Sequence, residues 1–539
     1  MQSIPANDIH LPAEVVVMVC SFLWKEDQLN TRLVSGKLHY AATIEAFRSL
    51  RLKPDGDTPS QFRAIALSDK LRTFVKEVTI DTELDPGIPY VSDAQDFAVC
   101  QNFLQFLPFL GLFSNLKHLH LRFSRSSNSR VNNVEEGWYY RYMVLDIISH
   151  SVTGVWTPEE RKRIYDTVPQ HGEQMCTNTH DASIVQGNSL QIKELTISHL
   201  ADYNDPRLIQ SKAWNKLLRL PTLTDLKLLV GEDHCSNGTR LSAWRSEFFT
   251  ALPSQWLTPD VVQKLQVLSL FYTDYWGWFP KMDLDQLGDL PSLKVLALGR
   301  YVFTDKKQTD WIASLGKNNK SGGLEELYLD ESCILYEANQ YKTFTDDPYP
   351  LPFANNPLSF ANIIANINLD ADMELTEYGR RWHHVLSDWT ASMKGLKKFV
   401  MGVGDLGCPS RTIKSFCPRS SVSETMLVAG DPPEWYFGHN RHRFFADPEP
   451  KDCIVDLVDA YRARRKASRA LPMGNYLLGA GLIQTRRARM KYAGYNIQFA
   501  YGWFMRGDGR AWAPEEGTVE FDDAAYALLM ETIRDRLRS

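Results

Sequence analysis

The sequence predicts an α/β protein: a short all-α unit at the N-terminus, an open array of strand-plus-helix units, and an α+β extension over 402–539. Three observations carry this. The apolar pattern L-x-x-L-x-L recurs nine times between residues 47 and 401. The strands it implies alternate apolar and polar residues, as in KHLHLRF, IKELTI and LEELYLD. The first fifty residues carry helical spacing and no strand pattern. With 44% apolar and 23% charged residues over 539 positions, the chain can bury a large core, which excludes wholesale disorder.

Composition excludes several classes. The net charge of −5 argues against a general nucleic-acid binder, which shows a basic surplus, and leaves room only for a local basic patch. No run reaches the 18 apolar residues of a membrane helix, and MQSIPANDIH has no basic segment followed by an apolar one. Eight scattered cysteines without a CxxC pair fit buried thiols in a reducing compartment, not disulfides or a zinc site. The expectation is a soluble cytoplasmic and/or nuclear protein with no membrane or nucleic-acid partner, no metal and no cofactor.

Residues 9–48 read as three short helices. Pro12 suits a first helical turn, followed by an apolar run from Val15 to Leu23. Asp27 is positioned to cap a second helix carrying Leu29 and Leu33, and Ser35 a third with Leu38, Ala41 and Ala42 at helical spacing. The first helix is apolar on more than one face, and so short a unit cannot enclose it alone. Leu11-Pro12, Glu14, Val19, Phe22-Leu23, Asp27, Leu29, Arg32 and Leu33-Val34-Ser35 stand in an order and spacing that resembles an F-box. The segment departs from many F-boxes at Gly36-Lys37-Leu38-His39, where a basic residue and a Trp are usual. The resemblance is specific over residues 9–48, within an expected F-box domain of residues 1–48.

The nine repeats begin at Phe47, Val75, Leu116, Ile192, Leu223, Leu265, Leu293, Leu324 and Leu396. Leu220-Pro221 and Leu290-Pro291 precede two of them, as where a helix ends before a strand. The array over 49–401 resembles a degenerate leucine-rich repeat, lacking the usual Asn or Cys nine positions into each motif. A closed (β/α)₈ barrel is the rival, but its strands read as continuous apolar runs; alternation favours an open horseshoe with one wet, concave face. Two gaps, 122–191 and 331–392, imply insertions. The first contains a loop-like SRSSNSRVNN stretch, and the second is expected to be helical through Glu374–Trp389. In the extension, helices are expected near 452–468 and 522–537, with YNIQFAYGWFM strand-like between them.

Catalytic motifs are nearly absent. Gly402-Val-Gly404-Asp-Leu-Gly407 matches GxGxxG formally, but Cys408-Pro409 follows where a helix should open, so it reads as a turn. His383-His384 point about 100° apart on a helix and do not form a metal pair. Residues 461–491 hold nine Lys or Arg and no acid, either a site for a phosphorylated or acidic segment or a solvated helix face. FYTDYWGWFP (271–280) offers Tyr272, Tyr275, Trp276 and Trp278 either to a partner or to a neighbouring repeat.

An N-terminal F-box followed by leucine-rich repeats resembles the substrate-receptor subunits of SCF-type ubiquitin ligases, in form most like F-box proteins of filamentous fungi. The resemblance implies a non-enzymatic chain. Its F-box would bind a Skp-family adaptor, and through it a cullin. Its repeats would bind a protein substrate, for which a phosphorylated or acidic segment would fit. The apolar residues expected to face or support the adaptor are Leu11, Pro12, Val15, Val19, Leu23, Leu29 and Val34. Alternation names His118, His120, Arg122, Lys227, Phe271, Tyr328 and Asp330 as facing a substrate. The alternative is a repeat scaffold that binds partners without directing ubiquitination.

Overall fold

The computed structural model describes residues 11–23, 25–54, 56–82, 103–123, 138–157, 159–160, 162, 188–231, 243–318, 323–341, 373–402, 489–496, 503–505 and 514–538. The chain is mixed α/β, built on one mostly parallel, open sheet. Each of the nine sequence repeats supplies one strand: β1 (Ser49–Leu52), β2 (Glu77–Asp81), β3 (His118–Arg122), β4 (Glu194–Ala201), β5 (Asp225–Gly231), β6 (Val267–Trp276), β7 (Val295–Phe303), β8 (Glu326–Asp330) and β11 (Lys398–Gly402). They lie side by side in that order, all parallel.

The motif explains the register. Leu50, Val78, Leu119, Leu195, Leu226, Leu268, Leu296, Leu327 and Phe399 are mutual partners across the sheet. A one-residue slip in any strand would turn its leucines out of the core, so the apolar pattern pins the pairing. Among the described residues β1 pairs only with β2, so the described strands form an open row and not a barrel.

A second branch leaves the sheet at β7. There β9 (Cys333–Tyr341) pairs with the end of β7, β10 (Met373–Glu377) lies antiparallel to β9, and β12 (Lys491–Asn496) runs parallel to it. β13 (Trp503–Met505) pairs with β12. The expected helix over Glu374–Trp389 is therefore corrected: residues 373–377 are a strand, and the helix is Trp382–Ser392. Glu374, Leu375 and Thr376 continue the edge that β9 leaves open, and that pairing overrides their helical spacing. Of the aromatic stretch 495–505 expected to be strand-like, Tyr495 and Asn496 end β12 and Trp503–Met505 form β13, while 497–502 lie outside the described residues; the final helix is Thr518–Arg538. The 452–468 helix, the SRSSNSRVNN stretch and the glycine motif past Gly402 lie outside the described residues.

His199, Arg300 and Glu331 stand at one offset, two residues past the last core position of their motifs, and all three have positive φ. Such φ is costly without glycine, by about 1 kcal/mol or more. Around His199 the β4–β5 pairing shifts register, and beyond Arg300 and Glu331 the chain turns into the second branch. An ion group spans that junction: Arg300 Nε lies 2.9 Å from Glu331, and Lys491 Nζ from β12 lies 3.2 Å from the same carboxylate.

One face of the sheet packs on the helices in a single core. A chain of ring contacts runs through it, from Trp214 and Trp256 through Phe248, Phe249, Trp276, Tyr301 and Phe303 to Trp382. Three polar tips in this core are satisfied: Tyr272 OH donates to Asp202, Trp276 Nε1 to the Gly299 carbonyl and Trp389 Nε1 to the Thr309 carbonyl, whereas the buried Trp214 Nε1 has no partner among the described residues. Of the two readings of residues 271–280, packing holds for Tyr272, Trp276 and Trp278, which are buried; the recognition reading is corrected for these three.

The final helix covers the last strand of the row. Its Tyr526 meets Phe399, and Arg536 donates to the Met393 carbonyl. Asp522 joins three elements: it accepts from the His383 backbone N–H and the Tyr492 hydroxyl, and the His383 ring lies 2.9 Å away. The Asp522→Ala change leaves the buried Tyr492 hydroxyl and the half-buried His383 N–H without this acceptor and is expected to cost about 2 kcal/mol, read as a lowered thermal midpoint.

Candidate interaction surfaces

The N-terminal unit consists of helices Ala13–Ser21, Lys25–Thr31 and Gly36–Ala46. Ser35 caps the third, accepting from the Leu38 N–H, as its position predicts. Asp27 lies inside the second helix, not at its cap, because that helix starts two residues earlier. Gln28 Nε2 reaches the Cys20 and Leu23 carbonyls, Lys37 Nζ the Leu11 carbonyl, and Arg32 Nε the Thr43 hydroxyl. The unit is thus held largely by polar ties around a very small core of Val16, Cys20, Ala41 and Ala42.

Its larger apolar residues point outward. Leu33 is 85% exposed, Phe22 82% and Val34 70%. Leu11, Met18, Val19 and Leu29 are exposed as well. Of the residues expected to face an adaptor, Leu11, Pro12, Val19, Leu29 and Val34 are exposed, and Val15 and Leu23 are half-buried. Met18, Phe22 and Leu33 were not among them. The first two follow Val15 at helical spacing, so the signal was present; Leu33 lies past the end of the second helix, where periodicity says nothing.

The second surface is the face of the sheet turned away from the helices. The strand pairing places Ser49, Glu77, His118, Glu194 and Asp225 in one row and Arg51, Thr79, His120, Thr196 and Lys227 in the next. Glu194 is the hub: Lys227 Nζ lies 2.5 Å and His118 Nδ1 3.1 Å from its carboxylate, and Thr196 donates to it. Burial would raise this carboxyl, but the hydrogen bond from His118 and the charge of Lys227 outweigh it and hold it well below the usual range. His120 Nε2 lies 3.7 Å from Glu77, and burial pushes its pKa down to about 4, so the ring is neutral at pH 7. One row further, Asp81 lies between Arg51 and Arg122.

From β5 onward the same face turns apolar. Leu229, Phe271, Val295, Ala297 and Tyr328 form a separate cluster. The Phe271 ring fills the space beside Gly299 where a Cβ would stand, and Lys398 Nζ sits 5.1 Å from the Tyr328 ring centre. His118, His120, Arg122, Lys227, Phe271, Tyr328 and Asp330 all lie on this face, but only His118 is part-exposed. The expectation of a wet face is corrected at the other six: neighbouring strands bring side chains close enough to bury one another. Their partners Arg51, Glu77, Asp81 and Glu194 escaped the sequence reading, because His118 and Glu194 are 76 residues apart.

Among the described residues no group of His, Cys, Asp or Glu could hold a metal ion, and no helix is long and apolar enough to cross a membrane. The His383 and His384 rings lie with centres 4.1 Å apart, tilted by 56°, and His383 pairs with Asp522. Of the basic 461–491 segment only Arg489 and Lys491 fall in the described part with 490; Arg489 lies over the Tyr526 ring. No protein-family model matches the chain, and no curated protein matches it either.

Proposed function

We propose that this chain is the substrate-receptor subunit of an SCF-type cullin-RING ubiquitin ligase. The N-terminal helices act as an F-box that docks on a Skp-family adaptor, and the parallel strands form a leucine-rich-repeat horseshoe that holds a protein substrate. The chain makes and breaks no covalent bond itself; it raises the effective concentration of a substrate lysine near the charged ubiquitin carrier.

The observation that carries the reading is the outward set of Leu11, Val19, Phe22, Leu29, Leu33 and Val34 on a unit whose described core is Val16, Cys20, Ala41 and Ala42. Exposed apolar clusters of this kind mark protein–protein contacts. The order of the F-box-like residues and the strands that follow them supports the same reading. The full chain is expected to co-purify with a Skp-family adaptor, and Phe22→Asp/Leu33→Asp to lose it. Both side chains are exposed, so the variant keeps its fold, checked by circular dichroism. An intact chain that captures no adaptor would sink the ligase reading and leave a repeat scaffold.

A further inference from the structure

The hydrogen-bond ladder of the sheet extends one residue before the strands. Lys76 N–H donates to the Arg48 carbonyl at 2.8 Å, Lys117 to Lys76 at 2.8 Å, Lys193 to Lys117 at 2.7 Å and Thr224 to Lys193 at 3.0 Å. Arg48, Lys76, Lys117 and Lys193 therefore occupy one rung across four adjacent strands, though they are far apart in sequence. All four are exposed. At about 4.8 Å per strand the rung spans about 14 Å.

The charge is only partly balanced. Arg48 meets Glu45 at 3.5 Å, Lys193 meets Asp225 at 3.6 Å, and Lys117 reaches the Gln191 carbonyl at 3.3 Å. The carboxylates of the next row are recessed: the side chains of Glu77, Asp225 and Glu194 are 26%, 12% and 8% exposed. Glu194 already serves His118 and Lys227. Further along the rung come Thr224 and Gln266, and then Lys294 and Lys397, which share Glu325 at 2.8 and 2.9 Å. Among the described residues the basic excess of the rung is thus concentrated on its first four strands, in a chain whose net charge is −5.

We propose that this rung docks an Asp/Glu-rich segment of a partner protein. About 14 Å matches four or five residues of extended peptide. Four cations would neutralise about four phosphates, a small electrostatic gain for a nucleic acid, and the net charge of this chain repels a long polyanion. Three of the four cations are lysines, compact point charges on flexible stems that suit carboxylates spaced along a peptide. Naming the segment as part of a ubiquitination substrate rests on the receptor reading above; the docking itself does not.

The test measures fluorescence anisotropy of a short fluorescein-labelled Asp/Glu-rich peptide with the full chain and with Lys76→Gln/Lys117→Gln and Lys76→Glu/Lys117→Glu. Binding is expected to weaken with salt, to fall about tenfold or more in the charge-reversed chain and to fall less in the neutral one. The same variants are expected to retain the adaptor, so loss of peptide and loss of adaptor report on separate readings. Unchanged peptide affinity in the charge-reversed chain overturns the proposal. So does equal affinity for an Asn/Gln peptide, for a phosphoserine peptide without Asp or Glu, or for an oligothymidylate of matching charge.

Discussion

Glu194→Ala is expected to be among the most damaging single changes in the sheet, lowering stability by about 3–5 kcal/mol. Glu194 and Lys227 form a buried pair at 2.5 Å, with only 8% and 4% of their side chains exposed. Deleting the carboxylate strands the ammonium in a site with little water and removes the acceptor of His118 and Thr196. The double change Glu194→Ala/Lys227→Met takes out both charges and is expected to recover most of the loss, because a buried pair scarcely outperforms a well-packed apolar one. Thermal midpoints of the wild type and the two variants check this. A double variant no better than the single one would remove the ion pair as the cause.

The same cluster sets a pH dependence. His120 is pushed down to about 4 by burial, from 6.5, so the unfolded chain binds its proton first and stability falls as pH drops from 6.5 towards 4. Glu194 is held below its ordinary 4.5, so its contribution is present above that pH and is lost on further acidification. Glu77 runs the other way: burial raises it, so its contribution is present below 4.5 and is lost as pH rises through its folded value. In a pH series of thermal midpoints, His120→Gln is expected to flatten the upper leg and leave the loss below 4.5. An unaltered upper leg would place the titrating group elsewhere.

Gly299→Ala is expected to cost about 1–3 kcal/mol despite adding one methyl group. Gly299 lies opposite Phe271 in register, and a Cβ there would overlap the Phe271 ring. The ring is 2% exposed and wedged among Leu229, Val295 and Tyr328, so it has no room to yield. Phe271→Ala alone opens a cavity, at about 3–5 kcal/mol. In the double variant the new methyl enters that space, and the combined loss is expected to be smaller than the sum. Strict additivity would show that the ring and the glycine do not meet.

The strand row was legible because each repeat carries its own register signal. Three apolar positions per motif decide which residues face the helices, and all nine stretches became strands in the expected order. The Glu374–Glu377 strand was not legible, since its pairing partner β9 forms around residues no local pattern connects to it. On the N-terminal unit, apolar surplus was readable from composition. Which of those residues stay uncovered depended on where the second helix ends and on how few side chains the third helix offers, namely Ala41 and Ala42.

By itself the sequence determined the mixed α/β class, the helical N-terminus, the parallel row and which face each strand residue takes, because period and register are local properties. Tertiary structure decided the rest. It joined His118 to Glu194, Arg51 to Asp81, and Arg48, Lys76, Lys117 and Lys193 into one rung. Alternation named a face, but not its solvation: strands about 4.8 Å apart crowd side chains from distant segments together. Burial and ion pairing are sums over such neighbours, and no single stretch of chain contains them.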